Sequence, residues 1–142
     1  MALTLGVFER PRVRAEAVSL FGTDYPTPDG TCIRDYIHIN DLVSTHRLAL
    51  DALGTRNVLL YNPGNGVGYS NYQVIGKSCA VINRAIPVKE LARRAGDSSR
   101  LVVAYDGIRR KLGWQSRYPD LKDIIASAWE WHRTYPNGYA ST

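Results

Sequence analysis

A glycine-rich segment at residues 63–68 is the first pattern whose spacing could do chemistry, because such a turn can cradle a dinucleotide phosphate. It follows an apolar stretch, residues 57–62, that is predicted to be a strand, and it precedes a helix predicted to begin after Ser70. Its glycines stand at 64, 66 and 68, whereas the dinucleotide turn needs its third glycine one residue later. We therefore expect a structural turn here and not a cofactor loop.

A second pattern, Tyr-x-x-x-Lys, occurs at Tyr118 and Lys122. A tyrosine and a lysine at this spacing can transfer a proton together only when one continuous helix carries both side chains on one face. Pro119 disfavours a helical Tyr118, and Asp120 is the predicted N-cap of a helix that starts afterwards. We expect this spacing to be a coincidence.

The remaining reactive side chains suggest no catalytic centre when they are taken alone. An Arg-Asp pair such as Arg34 and Asp35 is usually a surface or capping interaction. His38, flanked by two isoleucines, is more typical of a buried structural histidine than of a catalyst. Cys32 and Cys79 belong to no metal-ligand cluster and predict free thiols in a reducing compartment. No metal site is expected.

Composition places the chain among ordinary globular domains. It has 142 residues, 44% of them hydrophobic and 22% charged, which is enough to bury a core. The net charge of +5 is scattered in groups of two or three basic residues, so we expect no nucleic-acid partner. No stretch approaches the ~18 apolar residues of a membrane span, and the first apolar stretch is too short for a signal peptide. A cytoplasmic protein with no membrane partner is expected.

The elements that position these residues are short and mixed. Strands are predicted at residues 18–21, 34–39, 57–62 and 86–91, the last at a sheet edge because it contains Pro87. Turn-forming residues fill 22–30, and a polar loop fills 93–99. Helices are predicted from a cap at Asn40 or Asp41 to about residue 53, from Ser70 to about 83, from a cap at Asp106 to Gly113, and from 120 to about 134.

This arrangement predicts an α/β fold that lacks a complete doubly wound sheet. The first helix is expected to bury a stripe made of Leu42, His46, Ala49, Leu50 and Leu53.

Five sequence blocks carry a family resemblance. They are LFGTDYPTPDGTCIRDYIHINDL at 20–42, YNPGNGVGYS at 61–70, RRAGD at 93–97, KLGW at 111–114, and WEWHRTYPNGY ending at 139. From Leu20 onward the chain resembles the C-terminal, substrate-binding part of UDP-glucose 4-epimerases, which belong to the extended short-chain dehydrogenase/reductase superfamily. UDP-arabinose 4-epimerases are similar in the same blocks and remain an alternative.

The resemblance implies a site for the nucleotide of a UDP-sugar. The backbone from Ser19 to Phe21 would face the uracil. Arg34 and Arg94 would hold the diphosphate, a task that suits a planar guanidinium with paired donors.

Three further positions follow from the same resemblance. Asp97 would accept hydrogen bonds from ribose hydroxyls, and Tyr36 would lie near the first arginine along the pyrophosphate. Leu101 matches the position beside the sugar, where side-chain size limits the acceptance of N-acetylated sugars.

The resemblance also implies what the chain does not carry. In the family, a Rossmann half holds NAD, and a Tyr-x-x-x-Lys pair with a nearby Ser or Thr transfers the proton. We expect NAD in the full-length family and none bound to this chain alone, with no catalytic residue here. Residues 1–19 are expected to be a remnant of the preceding helix and loop, and residues 20–142 the UDP-sugar-binding domain.

The predicted function is the UDP-sugar-binding portion of an enzyme that interconverts UDP-glucose and UDP-galactose in galactose metabolism, inactive alone. Its expected partners are a UDP-sugar and the missing Rossmann half or a homologous subunit. The alternative is a non-catalytic, nucleotide-sugar-binding or partner-dependent module.

Overall fold

The computed structural model describes residues 17–54, 60–136 and 138. Most of the predicted N-terminal remnant, residues 57–59 of a predicted strand, and Asn137 and Tyr139 of the closing motif lie outside these residues. The first strand begins at Val18, so the expected domain boundary between residues 19 and 20 passes through that strand.

Nine elements follow one another along the described chain. The strands are β1 (Val18–Phe21), β2 (Ile33–Asp35), β3 (Gly68–Ser70), β4 (Val88–Leu91) and β5 (Arg100–Leu101). The helices are α1 (Ile39–Leu53), α2 (Asn71–Ile82), α3 (Asp106–Leu112) and α4 (Leu121–Thr134). None of the helices within the described ranges has the length and apolarity needed to cross a membrane.

The strands form two small sheets. β1 pairs with β4 in parallel, and β2 lies between an antiparallel β3 and a parallel β5. The α/β prediction is therefore confirmed, and within the described residues these short sheets do not make up a complete Rossmann sheet.

The main hydrophobic cluster lies between α2, α4 and the residue that follows β2. Its buried members are Tyr36, Val74, Leu121, Ile124 and Ile125. Both helices begin where their caps were predicted. The Ser70 and Gln73 side chains bond each other's backbone N–H in a capping box, and Asp120 accepts a hydrogen bond from the Lys122 N–H at 2.8 Å.

The start of α1 differs from the sequence prediction. The strand predicted over 34–39 ends at Asp35, and the N-cap is His38 instead of Asn40 or Asp41. His38 Nδ1 accepts a hydrogen bond from the Asn40 N–H at 3.1 Å, a capping role usually given to an oxygen. The observed strand is shorter than predicted, and the residue that follows it, Tyr36, is buried in the core.

The predicted buried stripe of α1 is also wrong. Leu50 is 69% exposed and Leu53 is 47% exposed, whereas the buried side chains are those of Asp41 and Thr45. The reason is that α1 packs on α3 and the segment after it through polar groups, such as the 2.8 Å bond from Trp114 Nε1 to Ser44 Oγ.

Two shorter elements differ only in detail. The N-cap of α3 is Tyr105, whose side chain makes no cap bond. Asp106, which was predicted to be the cap, is instead the first helical residue. Gly113 ends α3 in the left-handed conformation, as predicted. β4 begins at Val88, because Pro87 contributes only its carbonyl oxygen, which accepts from the Val18 N–H at 2.8 Å.

Candidate functional site

β1 presents one exposed face, which carries Ser19 and Phe21. Side chains alternate along a strand, so Val18 and Leu20 point into the protein and are buried, while Ser19 is exposed and Phe21 half-buried. The side chains of Ser19 and Phe21 therefore lie on the accessible side of β1, and the contact of the backbone from Ser19 to Phe21 with uracil stays a prediction.

Arg34 lies in the middle of β2, directly opposite Leu101 of β5. Its Nη1 donates to the Ile33 carbonyl oxygen at 2.9 Å, and its Nη2 lies 3.8 Å from Asp97 Oδ1. The side chain of Leu101 is 62% exposed. The parallel pairing of β2 and β5 thus places the predicted diphosphate and sugar positions side by side.

A four-residue turn presents Arg94 and Asp97 together. The Asp97 N–H donates to the Arg94 carbonyl oxygen at 3.3 Å, and Gly96 has φ +84°, which a turn of this type needs at its third position. Arg94 then lies over the end of β1, with its Cζ 3.6 Å from the centroid of the Phe21 ring. The turn therefore connects the exposed face of β1 with Arg34 on β2.

The local charge of this cluster is positive. The cluster consists of the guanidinium groups of Arg34 and Arg94 and the carboxylate of Asp97. Arg34 Nη2 lies 3.8 Å from Asp97 Oδ1, and Arg94 belongs to the same turn as Asp97. All three side chains reach solvent, since the side chains of Arg34 and Asp97 are 25% and 38% exposed and Arg94 is exposed. The arrangement can bind a phosphate-bearing ligand and accept hydrogen bonds from its hydroxyls.

Tyr36 lies in the hydrophobic cluster and is 6% exposed. Burial raises the pKa of its hydroxyl to about 12, although the positive charge of Arg34 opposes the shift. The two residues are therefore electrostatic neighbours, while the ring itself packs against α2 and α4. A contact between Tyr36 and a ligand stays a prediction.

Asp35 supports the site in a way that sequence reasoning missed. Its carboxylate accepts three backbone hydrogen bonds, from the N–H groups of Asn65 at 3.1 Å, Gly66 at 2.9 Å and Val103 at 3.2 Å. These bonds fix the glycine-rich segment and the chain after β5 to the end of β2. The only sequence signal was a carboxylate next to Arg34, which is too common to be specific.

The glycine-rich segment does not form a cofactor loop. The N–H groups of Asn65 and Gly66 already donate to Asp35, so they do not point at a phosphate. The Asn65 side chain donates to the Tyr36 carbonyl oxygen at 2.6 Å. The prediction of a structural turn is confirmed, and the segment does not fit NAD.

The Tyr-x-x-x-Lys spacing is likewise a coincidence. Tyr118 lies before α4, outside any helix, and its ring stacks on His38 with 4.1 Å between centroids. His38 is 4% exposed, and its Nε2 lies 2.9 Å from Ser127 Oγ, which confirms the structural interpretation. Among the described residues, no group of three or more His, Cys, Asp or Glu side chains could hold a metal ion.

Comparison with known proteins gives a consistent result. No protein-family model matches the chain. The UDP-glucose 4-epimerase of Streptococcus mutans is 43% identical over 125 residues, which are 87% of this chain and 38% of that protein. The UDP-glucose 4-epimerase of Rhizobium leguminosarum is 46% identical over 121 residues, 84% of this chain and 36% of that protein. A probable UDP-arabinose 4-epimerase of Arabidopsis thaliana is 39% identical over 135 residues, 95% of this chain and 33% of that protein.

Solved structures agree with these relatives. The UDP-glucose 4-epimerase of Bifidobacterium longum in complex with NAD+ and UDP superposes with a TM-score of 0.88 at 34% identity, over 96% of this chain and 41% of that one. The enzyme from Stenotrophomonas maltophila with bound NAD and formylated UDP-arabinopyranose gives a TM-score of 0.85 at 34% identity, over 93% and 39% of the two chains.

The chain spans well under half the length of each of these relatives. Identity above 30% and TM-scores above 0.8 extend over nearly all of the chain itself. In sequence and in fold, the chain therefore belongs to the UDP-glucose 4-epimerase family of the extended short-chain dehydrogenase/reductase superfamily and corresponds to its C-terminal portion.

Proposed function

We propose that this chain binds the UDP part of a UDP-hexose and is the substrate-binding portion of a 4-epimerase that interconverts UDP-glucose and UDP-galactose. The observation that carries this proposal is the convergence of Phe21, Arg94, Asp97 and Arg34 from three separate segments of the chain. The solved relative that contains UDP supports the same ligand class.

Each group has a role that its chemistry allows. Arg34 and Arg94 clamp the diphosphate, since a guanidinium can donate two parallel hydrogen bonds to phosphate oxygens. Asp97 accepts hydrogen bonds from the ribose hydroxyls and exchanges its contact with Arg34 for them. The exposed face of β1, from Ser19 to Phe21, lies next to Arg94 and faces the uracil.

The sugar position is formed around Leu101, opposite Arg34 in the β2–β5 pairing. An exposed leucine here gives the sugar an apolar neighbour without a hydrogen-bonding group. A UDP-pentose is the second candidate, because the Arabidopsis relative named as a UDP-arabinose 4-epimerase matches 95% of the chain. Both sugars share the UDP part, so the roles of Arg34, Arg94 and Asp97 are the same for either.

We assign no catalytic residue to this chain and expect it to bind no NAD alone. When NAD is bound in the full-length protein, it supplies the hydride chemistry. The residues of this chain hold and orient the nucleotide and keep the sugar beside Leu101.

The second expected partner is the cofactor-binding half. One face of α1 carries four exposed apolar side chains, those of Ile39, Val43, Leu50 and Leu53, which are 60%, 59%, 69% and 47% exposed. Their spacing of four, seven and three residues places them along one side of the helix. Since most of the length of each relative lies outside the matched portion, we propose that an NAD-binding unit covers this face.

The test is a calorimetric titration of the chain with UDP, compared with Arg94→Ala. Loss of a charged hydrogen bond of roughly 1.5–3 kcal/mol weakens binding by about tenfold to a hundredfold. Arg110→Ala is the matched control, because Arg110 is an exposed arginine on α3 and does not belong to the turn. A folded wild-type chain that gives no saturable heat with UDP, or an Arg94→Ala variant that binds like wild type, contradicts the proposal.

A further inference from the structure

We propose that Arg93 is a positioning residue, which fixes the turn at residues 94–97 to the loop after β1 and so presents Arg94 and Asp97 to the nucleotide. The inference rests on the proposed UDP site and adds to it a residue that does not touch the ligand.

Arg93 grips the loop after β1 through three contacts. Its Nε lies 2.6 Å from Asp24 Oδ1, and its Nη2 donates to the Asp24 carbonyl oxygen. Its Cζ lies 4.2 Å from the centroid of the Tyr25 ring. The hydrogen bond from Arg93 lowers the pKa of Asp24. A fork that uses both a side chain and a backbone oxygen holds its orientation better than a single ion pair does.

The contact is next to the predicted uracil face. Gly22 follows Phe21 directly and has φ +81°, and a Cβ built on it would lie 2.4 Å from Tyr25 Cε2 and 2.7 Å from Arg93 Cγ. The Arg93 stem and the Tyr25 ring therefore rest against the backbone of Gly22. The Gly22 N–H also donates to the Leu91 carbonyl oxygen at 2.8 Å, which ties this point to β4.

Two consecutive arginines thus hold the turn against neighbouring parts of the chain. Arg94 lies over Phe21, the last residue of β1, while Arg93 lies over the residues that follow it. The turn can shift as a unit only if both of these contacts and the 3.8 Å contact between Arg34 Nη2 and Asp97 Oδ1 give way. Within the turn, the Asp97 N–H donates to the Arg94 carbonyl oxygen at 3.3 Å, and the Arg93 contact adds an anchor from outside the turn to the loop after β1.

The ion pair of Arg93 and Asp24 is exposed, so its contribution to the unfolding free energy of the protein is small. The side chains of Arg93 and Asp24 are 41% and 74% exposed, and exposed ion pairs contribute little to unfolding free energy. Removing either partner should leave the fold intact and loosen only the turn. The effect on the ligand is therefore measurable without unfolding the protein.

The binding experiment titrates UDP into Arg93→Ala, Asp24→Ala and the double variant. Arg93→Ala should weaken UDP binding by about threefold to tenfold, and Asp24→Ala by less, because the Asp24 carbonyl oxygen and the Tyr25 ring still contact Arg93. The double variant should bind no more weakly than Arg93→Ala, because Asp24 acts only through Arg93. Arg110→Ala, which removes an equal charge on α3, should bind like wild type. If Arg93→Ala binds UDP like wild type, or if the double variant binds UDP more weakly than Arg93→Ala, the inference is wrong.

A second measurement uses no ligand. Backbone NMR order parameters of residues 94–97 should fall in both single variants, while those of α4 stay unchanged. Unchanged order parameters in the turn would overturn the inference whether or not UDP binds. Failure of the wild-type chain to bind UDP, with a turn that loosens as described, would instead count against the proposed function alone.

Discussion

Arg94 places its guanidinium carbon 3.6 Å from the centroid of the Phe21 ring, so an arginine of the 94–97 turn rests on the last residue of β1. A cation–π contact of this kind at an accessible site is worth about 0.5–1 kcal/mol. It holds the guanidinium beside the exposed face of β1 before any ligand arrives, which reduces the ordering cost of binding.

The first prediction concerns this ring. Phe21→Leu keeps an apolar side chain but removes the aromatic face, so UDP binding should weaken by about twofold to fivefold. Phe21→Tyr keeps the ring and should bind nearly as wild type does. Calorimetric titration with UDP gives both affinities. Equal affinity of Phe21→Leu and wild type would mean that the ring does not orient Arg94.

The starts of α2 and α4 were predicted correctly, because the N-cap bonds of both helices are formed between residues close in sequence. Ser70 with Gln73 and Asp120 with Lys122 are bonds within one turn, so the sequence alone contains both partners. The end of α3 was also predicted from a local signal, because Gly113 itself adopts the left-handed φ of +65° that ends the helix.

The N-cap and the buried face of α1 were predicted wrongly, because both depend on interactions between distant segments. Asp41 looks like an N-cap, but its carboxylate is already engaged by Ser116, Arg117 and Tyr118, which lie more than 70 residues further along the chain. That contact buries the polar side of α1 and leaves Leu50 exposed, contrary to the hydrophobic pattern.

The site residues show the same difference between what the sequence could predict and what depends on contacts between distant segments. Family resemblance named Arg34, Arg94 and Asp97, and the structure brings them together. Neither Arg93 nor Asp35 was assigned a role, because their partners, Asp24 and the backbone of residues 65, 66 and 103, cannot be read from neighbouring sequence.

The second prediction concerns Asp41, which is 1% exposed. Burial alone would raise its pKa, but hydrogen bonds from the Ser116 hydroxyl and the N–H groups of Tyr118 and Arg117 outweigh burial and leave the pKa lowered. A carboxyl whose pKa is lower in the folded state stabilises the protein above its unfolded pKa of ~3.9, and this stability is lost as the pH falls through the folded pKa.

Asp41→Asn should therefore lower the unfolding free energy at pH 7 by about 2–3 kcal/mol, since the amide replaces one accepting oxygen with a donor. The deficit should shrink as the pH falls below the unfolded pKa of ~3.9 and through the lower folded pKa, where the wild-type carboxylate becomes protonated. Urea unfolding at several pH values measures it. Asp51→Asn, on the exposed side of α1, is the control and should change stability by less than about 0.5 kcal/mol. A deficit that stays constant with pH would show that the charge of Asp41 is not what stabilises the contact.

The third prediction compares two glycines. Gly66 has φ +70°, and a Cβ there would lie 2.2 Å from Tyr105 Cε1, so Gly66→Ala should cost about 2 kcal/mol of unfolding free energy. In α3, a Cβ on Gly107 would meet nothing within 4 Å, so Gly107→Ala should stabilise by about 0.5–1 kcal/mol through helix propensity. Urea unfolding of both variants at pH 7 tests the pair. Stability changes of the same sign would contradict the different backbone and packing requirements of the two positions.

The fourth prediction concerns the exposed apolar face of α1. Because Ile39, Val43, Leu50 and Leu53 form one accessible stripe, the isolated chain should bind the dye ANS in its folded state, as exposed apolar patches do. Leu50→Lys removes one of the four exposed apolar side chains and places a charge in the middle of the stripe, so the ANS fluorescence should fall by at least about a quarter.

Asp51→Lys is the control, because it places a lysine one residue further along α1, off the stripe, and changes the net charge by two where Leu50→Lys changes it by one. It should leave the fluorescence near the wild-type value. An equal decrease in both variants would assign the signal to net charge, and no decrease in Leu50→Lys would place the dye elsewhere. Either result would remove the support for α1 as the surface that an NAD-binding unit covers, whereas a selective loss in Leu50→Lys identifies the residue to vary when the two halves are brought together.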